Sequence, residues 1–419
     1  MKSSKKMFRL TPICLLLIAG SASATNGYFS HGYGIKAKGM AGVGIAMPQD
    51  SLAAATNPAG MVMVGDRLDV GVDWFKPDRG GDIVGNGFGL NGSYDGNADK
   101  SFIIPEFGYN KMLGWDMSAG ISVYGNGGMN TRYKTNPFGA FGAQGDAGVN
   151  LEQLFIAPTF AMKINKTNSL GASIVFAYQT FGAYGLQPFA GFSLHPTDVT
   201  DRGNVHSTGW GVRLGWTGQV SESVTLGATY ASKINGKFDE YQGLFADAGG
   251  FDIPENYGVG IAVKATPQLT IAADVQRIKY GSVNSIGNNA DCLFAGACAL
   301  GQKGGGPGFG WDDLTAYKLG VSYEYSKDLT LRAGVSTNHQ PIPKSQTLLN
   351  ILAPGVVETH ATLGATWTLA NKNELTVGYM HAFSKDVNGS GSIPPGFAGG
   401  EANLNMSQNS FGIAYGIKL

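Results

Sequence analysis

From Leu68 to the final residue, apolar and polar positions alternate with period two. Leu68, Val70, Val72 and Trp74 share one face of the first run, and Asp69, Gly71 and Asp73 share the other. The pattern returns in Met117, Ala119, Ile121 and Val123, in Trp210, Val212, Leu214 and Trp216, and in Leu363, Ala365, Trp367 and Leu369. Such alternation marks a strand with two unlike faces. Fourteen runs can be counted, ending in Phe411, Ile413, Tyr415, Ile417 and Leu419. Short connections fall near Gly114, 165–167, Ser221, 266–267, 327–328 and 371–373. Long Gly-, Asn- and Pro-rich ones fall at 77–100, 126–150, 180–206, 232–253, 281–313, 337–355 and 385–405. A soluble sandwich does not place its long connections at every second position. The pattern predicts an all-β fold, a transmembrane antiparallel β-barrel of fourteen strands with short turns at one end and long loops at the other. Closure is required because an open edge in lipid leaves backbone groups unpaired.

The apolar face of each strand should meet lipid, so the other face lines the lumen. Asp69, Asp73, Glu106, Arg213, Lys264, Asp274, Lys318, Glu324 and Arg332 are placed inward by this phase. Arg or Lys on the lipid side at mid-depth would cost roughly 2–4 kcal/mol. Both signs are present, so the charges can pair and hydrogen-bond across the lumen, holding barrel and plug together rather than serving transport directly.

Composition agrees. Glycine is abundant at 64 residues, charge is sparse at 14% and aromatics reach 11%. The start supplies an address: Lys2, Lys5, Lys6 and Arg9, then an apolar core from Ile13 to Ala19, then Ala22, Ser23 and Ala24. This is the layout of a secretory signal peptide over 1–24, cleaved after Ala24. Removing its four basic residues leaves 26 basic against 30 acidic residues. That balance excludes a nucleic-acid partner recognised by positive charge.

Residues 26–60 break the alternation. The stretch NGYFSHGYGIKAKGMAGVGIAMPQDSLAAATNPAG is rich in Gly and Ala and ends in Asn57, Pro58 and Ala59. Gln49 to Thr56 can form one or two helical turns, with Asp50 near the positive end and Pro58 as the stop. NGYFSHGYG, the KGMAG glycines and PQDSLAAATNPAG resemble the N-terminal hatch of the FadL/TodX family of outer-membrane transporters of hydrophobic compounds. Asn57-Pro58-Ala59 matches that family's NPA motif. The resemblance covers the chain after the signal and departs at Leu419, where outer-membrane proteins commonly end in Phe. It implies a plug over 25–65 within a barrel over 66–419, with the NPA residues at the gate.

A second feature lies in the third strand, whose alternation breaks at Tyr124, Gly125, Asn126, Gly127 and Gly128. Clustered glycines allow a bulge, a bend or an end. The family has an inward kink there that opens the barrel wall, so the resemblance implies a lateral opening at Tyr124 to Gly127. Glycine would suit it by allowing positive φ.

Enzymatic signatures are absent. Gly87 to Gly92 matches a dinucleotide-binding pattern only formally, in a loop with no strand–helix context. No G-x-S-x-G or H-E-x-x-H occurs, and the six histidines lack metal-ligand spacing. No catalytic residue, metal or cofactor is expected. Cys292 and Cys298 lie in one Gly-rich loop, where an oxidising compartment favours a small disulfide. Phe138, Phe141, Phe189, Phe192 and Phe245 gather in the long loops with Phe181, Tyr184, Tyr241 and Phe251. Such apolar clusters need a reason: self-packing of the loops, contact with lipopolysaccharide, or a substrate groove, which the family resemblance favours. The reading is a passive channel, not an enzyme, for long-chain fatty acids or aromatic hydrocarbons in a Gram-negative outer membrane. Substrate would enter by an apolar groove, and hatch movement would release it sideways at the third strand. The expected partners are outer-membrane lipid, lipopolysaccharide and the barrel-assembly machinery, with a monomeric channel. The rival is a general porin or a structural or adhesive surface barrel, which needs no plug.

Overall fold

The computed structural model describes residues 26–114 and 116–419. The signal-peptide expectation for 1–24 falls outside them. Fourteen long strands form the wall: β1 Arg67–Val84, β2 Phe102–Met112, β3 Met117–Tyr133, β4 Ala147–Lys163, β5 Asn168–Tyr184, β6 Val205–Ser221 and β7 Val224–Ala231. They continue as β8 Asn256–Lys264, β9 Leu269–Ile278, β10 Leu314–Ser326, β11 Leu329–Asn338, β12 Thr359–Thr368, β13 Glu374–Val387 and β14 Glu401–Lys418. Each pairs antiparallel with its sequence neighbours, and β14 pairs with β1 from Arg67↔Lys418 to Val84↔Glu401, which closes the barrel. An additional short strand, Gly92–Asp95, pairs only with the top of β1.

The apolar faces point outward. Trp74, Ile103, Ile174, Trp210 and Leu363 are exposed, while Asp69, Asp73, Glu106, Arg213, Asp274 and Lys318 are buried on the inner side. The inward phase leaves Arg332 half-buried and two members of the predicted set exposed. Lys264 and Glu324 are exposed because they lie at or near strand ends beside short turns. The long connections begin later than the alternation suggested. β1, β3, β4, β5 and β14 run to 17 or 18 residues, whereas β7 has 8 and β8 has 9. The wall is therefore taller on one side, and loops from the shorter side fold into the mouth. Phe181, Tyr241 and Phe251 are buried there rather than exposed.

Residues 26–65 lie in the lumen, since their partners come from the full circumference. Asn57 Nδ2 donates to Trp216 O on β6, Ser169 Oγ on β5 donates to Ala59 O, and Asn110 Nδ2 on β2 donates to Met61 O. Lys36 and Lys38 reach Glu374 on β13 and Asp73 on β1. The local structure differs from the predicted helix over Gln49 to Thr56. Only Ala53–Ala55 forms a 3₁₀ turn, and Asp50 Oδ1 instead accepts from Leu52 N at 2.9 Å. The turn ends before Pro58, with Asn57 extended as expected, and Pro58 then opens a second 3₁₀ helix, Pro58–Met63, where its missing N–H costs nothing.

Candidate functional site: a seated hatch, a wall gap and an aromatic mouth

The hatch has almost no regular structure, so its backbone groups need outside partners. The inward carboxylates supply them. Glu106 accepts from Gly34 N and Ile35 N, at 3.2 and 2.9 Å. Asp274 Oδ2 accepts from Gly44 N and Ile45 N, at 2.8 and 3.1 Å. Asp69 accepts from Ser51 N at 3.0 Å and from Arg67 Nε at 2.7 Å. Lys318 Nζ donates to His31 O at 2.9 Å. The charges thus bind the hatch backbone as much as each other, in line with a network that holds barrel and plug together. Two hatch ammonium groups complete the seat. Lys38 meets Asp73 at 2.6 Å, and Glu374 receives both Lys36 and Arg67. Burial pushes Lys36 below its usual pKa despite Asp50 and Glu374 nearby. Lys38 is also desolvated, yet Asp73 and Glu106 hold it above its usual value.

Asn57 ties this seat to the wall. Its Oδ1 accepts from Ala59 N at 3.1 Å, capping the helix that Pro58 starts, and its Nδ2 also donates to Ile45 O at 2.7 Å. Opposite it on β6, Gly215 has no side chain, and a Cβ there would overlap Asn57. Asn57, Pro58 and Ala59 are all buried.

The wall is incomplete between β2 and β3. The two strands pair only from Met112↔Ser118 to Phe107↔Val123. Above that, Phe102 to Glu106 pair with β1 and not with β3, and Tyr124 to Tyr133 pair with β4, with single bridges from Gly127 to Phe29 and from Arg132 to Asn97. β3 does not end at its glycines. It carries a bulge between Gly125 and Gly127, with Asn126 as the extra residue, and continues to Tyr133. Neither Gly125 nor Gly127 has positive φ, so the expected reason for glycine is replaced by close approach. At Gly127 the hatch backbone lies against the strand. Ser30 N donates to Asn126 O and Gly128 N to Tyr28 O, both at 2.9 Å. A Cβ at Gly127 would overlap Tyr28 O, and one at Gly125 would meet Ile104 Cγ2 across the gap at 2.9 Å. Tyr33 packs on Tyr124 at 4.8 Å between ring centres, and its hydroxyl donates to Asn126 Oδ1 at 2.8 Å. Above the gap, buried Arg79 binds Asn130 O, Asn130 Oδ1 and Asp99 O.

At the mouth, a groove of about 480 Å³ is lined by Phe88, Phe138, Ala140, Phe141, Pro188, Phe189, Phe192, Phe294, Leu348, Gly396 and Phe397. Four of the five phenylalanines named for a groove meet here. Phe245 does not. It lines a separate cavity behind the groove with Leu186, Phe189, Leu244, Leu300, Phe309, Leu349 and Leu352. From that cavity, ring contacts run Phe245 to Phe251 at 4.8 Å, Phe251 to Tyr28 at 6.2 Å and Tyr28 to Phe29 at 5.3 Å. Phe29 bridges to Gly127 at the gap. Tyr280 and Trp311 close the far side of Tyr28. Phe88, Phe294 and Phe397 were not picked out from sequence, although a scan of the first, fifth and seventh loops for Phe would find them. Tyr28 and Phe29 gave no such signal, being two aromatics in a stretch read as a plug. Cys292 and Cys298 form the expected disulfide beside Phe294.

A plugged fourteen-stranded barrel with an apolar mouth defines the class: an outer-membrane channel. The chain belongs to the OMPP1/FadL/TodX family of outer-membrane transport proteins, whose family model matches residues 15–393. No curated protein matches it. Its fold is similar to that of a Pseudomonas aeruginosa FadL homologue, at 16% identity and TM-score 0.72, covering 94% of this chain and 99% of that one. It is also similar to the Pseudomonas putida toluene transporter TodX, at 19% identity and TM-score 0.68, covering 94% and 100%. The Ralstonia pickettii toluene transporter TbuX matches at 20% identity and TM-score 0.64, covering 92% and 98%.

Proposed function

We propose that this channel passes small hydrophobic molecules from the mouth to the outer leaflet through the gap between β2 and β3. Substrate collects in the phenylalanine groove, moves to the cavity behind it and displaces Tyr28 and Phe29 from β3. It then leaves beside Asn126. The carrying observation is the continuity of apolar surface from Phe141 to Phe29, ending where the wall loses its hydrogen bonds. Below Tyr28 the lumen is occupied by the hatch and its charges, a poor solvent for a hydrocarbon, whereas bilayer beside the gap is a good one. No charged side chain lines the groove or the cavity. That lining favours an uncharged aromatic or aliphatic hydrocarbon over a fatty-acid carboxylate. The seated hatch argues against a general porin.

Gly125→Val tests the exit. A Cβ there would meet Ile104 across the gap and has no hatch atom within 4 Å. In cells lacking other such channels, toluene uptake should fall about tenfold, the effect of a barrier near 1.4 kcal/mol. Binding at the groove should persist. Normal uptake through a gap shown to be filled would send the substrate elsewhere.

A further inference from the structure

Phe189 is the one residue that lines both the groove and the cavity. It sits on the 3₁₀ turn Gln187–Phe192 of the third long loop. Facing it, the short helix Thr347–Asn350 of the sixth long loop gives Leu348 to the groove and Leu349 to the cavity. The partition between the two spaces is therefore one aromatic ring against two leucines.

Its two sides are held differently. The leucine side is anchored by buried bonds: Trp311 Nε1 donates to Asn350 Oδ1, and Asn350 Nδ2 donates to Phe309 O, each at 2.6 Å. Breaking them would leave buried polar groups unsatisfied. The Phe189 turn is tied at its start by exposed bonds, Gln187 Nε2 to Asp201 Oδ2 at 2.8 Å and Gln144 N to Gln187 Oε1 at 3.1 Å, and at its end by Leu300 N to Phe192 O at 2.9 Å; between them Phe189 N makes the local bond to Leu186 O. Phe189 is half-buried, and its ring meets Phe138 edge-on at 4.9 Å. Exposed bonds exchange readily with water, so this side moves at lower cost.

The volumes make movement necessary. The groove offers about 480 Å³, but the cavity behind Phe189 offers only about 50 Å³. The cavity thus has about a tenth of the groove's room, so a hydrocarbon that fills the groove does not fit the cavity as it stands. The cavity must widen as substrate arrives, and the yielding wall is the loosely tied one.

We infer that Phe189 is a specificity-determining valve, whose swing sets the largest hydrocarbon that passes from groove to cavity. This rests on the transport path proposed above. Size selection by one ring in an apolar passage has precedent in magnitude, since one methylene is worth about 10- to 200-fold.

The test compares toluene with phenanthrene uptake in proteoliposomes holding the full channel, with groove binding followed by the fluorescence of 1-naphthylamine. Phe189→Ala should raise the phenanthrene-to-toluene ratio about tenfold, and Phe189→Trp should lower it; naphthylamine binding should stay unchanged in Leu349→Ala, because Leu349 lines the cavity and not the groove. Leu349→Ala, on the other lip, should shift the ratio the same way as Phe189→Ala and serves if that variant does not fold. An unchanged ratio in the folded variants overturns the valve. So does an equal loss of both probes together with naphthylamine binding, which would make Phe189 a groove wall only. If wild-type vesicles take up toluene no faster than empty ones, the transport path fails and the valve with it. Faster wild-type uptake with no ratio shift fails the valve alone.

Discussion

The short-turn half and the long-loop half of the lumen solve opposite problems. In the lower half an irregular segment is immobilised by charge. Glu106, Asp274 and Asp69 each take one or two hatch N–H groups, and Glu374 and Asp73 take the Lys36 and Lys38 ammonium groups. In the upper half, loops meet mostly through rings and aliphatic side chains, and free volume remains between them. Directed bonds penalise any shift, because a displaced buried charge has no substitute partner. Apolar contacts are non-directional and tolerate repacking. One half is built to stay and the other to yield. Tyr28 and Phe29 are where the two meet.

Breaking the static half should cost most. Asp73 accepts from Lys38 Nζ and from Ser410 Oγ. Asp73→Ala leaves a buried ammonium without its nearest counter-ion and should cost about 3–5 kcal/mol, read from denaturant unfolding. Ion conductance should rise as the hatch loosens. A wild-type unfolding curve would show that the seat is not fixed by charge.

Asn57→Ala should come next, at roughly 1–3 kcal/mol, since Ile45 O, Trp216 O and Ala59 N all lose a partner. The barrel should still fold and migrate as a closed barrel. Single-channel recordings should show transient openings that the parent lacks. Silence in those recordings would detach the motif from gating.

In the yielding half the ranking reverses, with function more sensitive than stability. Phe141 stacks edge-on with Phe88 and Phe397 and is only partly buried. Phe141→Ala should weaken naphthylamine binding by about 1 kcal/mol while moving the unfolding midpoint little. A larger loss of stability than of binding would mean that the mouth, too, is a structural core.

The smallest effect is expected at Asp313, which anchors the fifth long loop. Burial raises its pKa, but the Lys279 ammonium, Gly281 N–H and Arg277 outweigh that and hold it below the usual carboxylate value. A depressed pKa stabilises the fold above the unfolded value, near 3.9, and that contribution fades as pH falls through the folded one. Toluene uptake should therefore be flat from neutral pH to about pH 5, with loop loosening only at more acidic pH, detectable by proteolysis. Loosening near neutral pH would place the anchor elsewhere.

Much of the wall was legible because a strand's two faces follow one rule at every second residue. Val70 and Trp74 had to face out if Asp69 and Asp73 faced in. The groove was legible only as a tendency, since phenylalanines in loops announce burial or binding without saying which. Phe138 and Phe141 met as expected, but Phe245 joined a different cavity, and Phe251 went into the core. The glycines of β3 were flagged for a bulge, which is there, but the positive φ also expected of them is not. Their φ values are ordinary, and what excludes a side chain is Ile104 at one and Tyr28 O at the other. Neither residue is near in sequence.

The sequence by itself determined the strand count, the closure and the side each residue presents, because period-two patterning is a local property that lipid and water read directly. It also marked the 26–60 stretch as something other than wall. Only the tertiary structure decided which carboxylate would cap which hatch amide, how far β2 and β3 would pair, and that Phe189 would divide one space from another. Those depend on pairs such as Gly34 with Glu106 or Phe189 with Leu349, brought together by barrel closure and loop folding. Long-range contacts of this kind leave no periodic trace, since each is a single meeting rather than a repeated face.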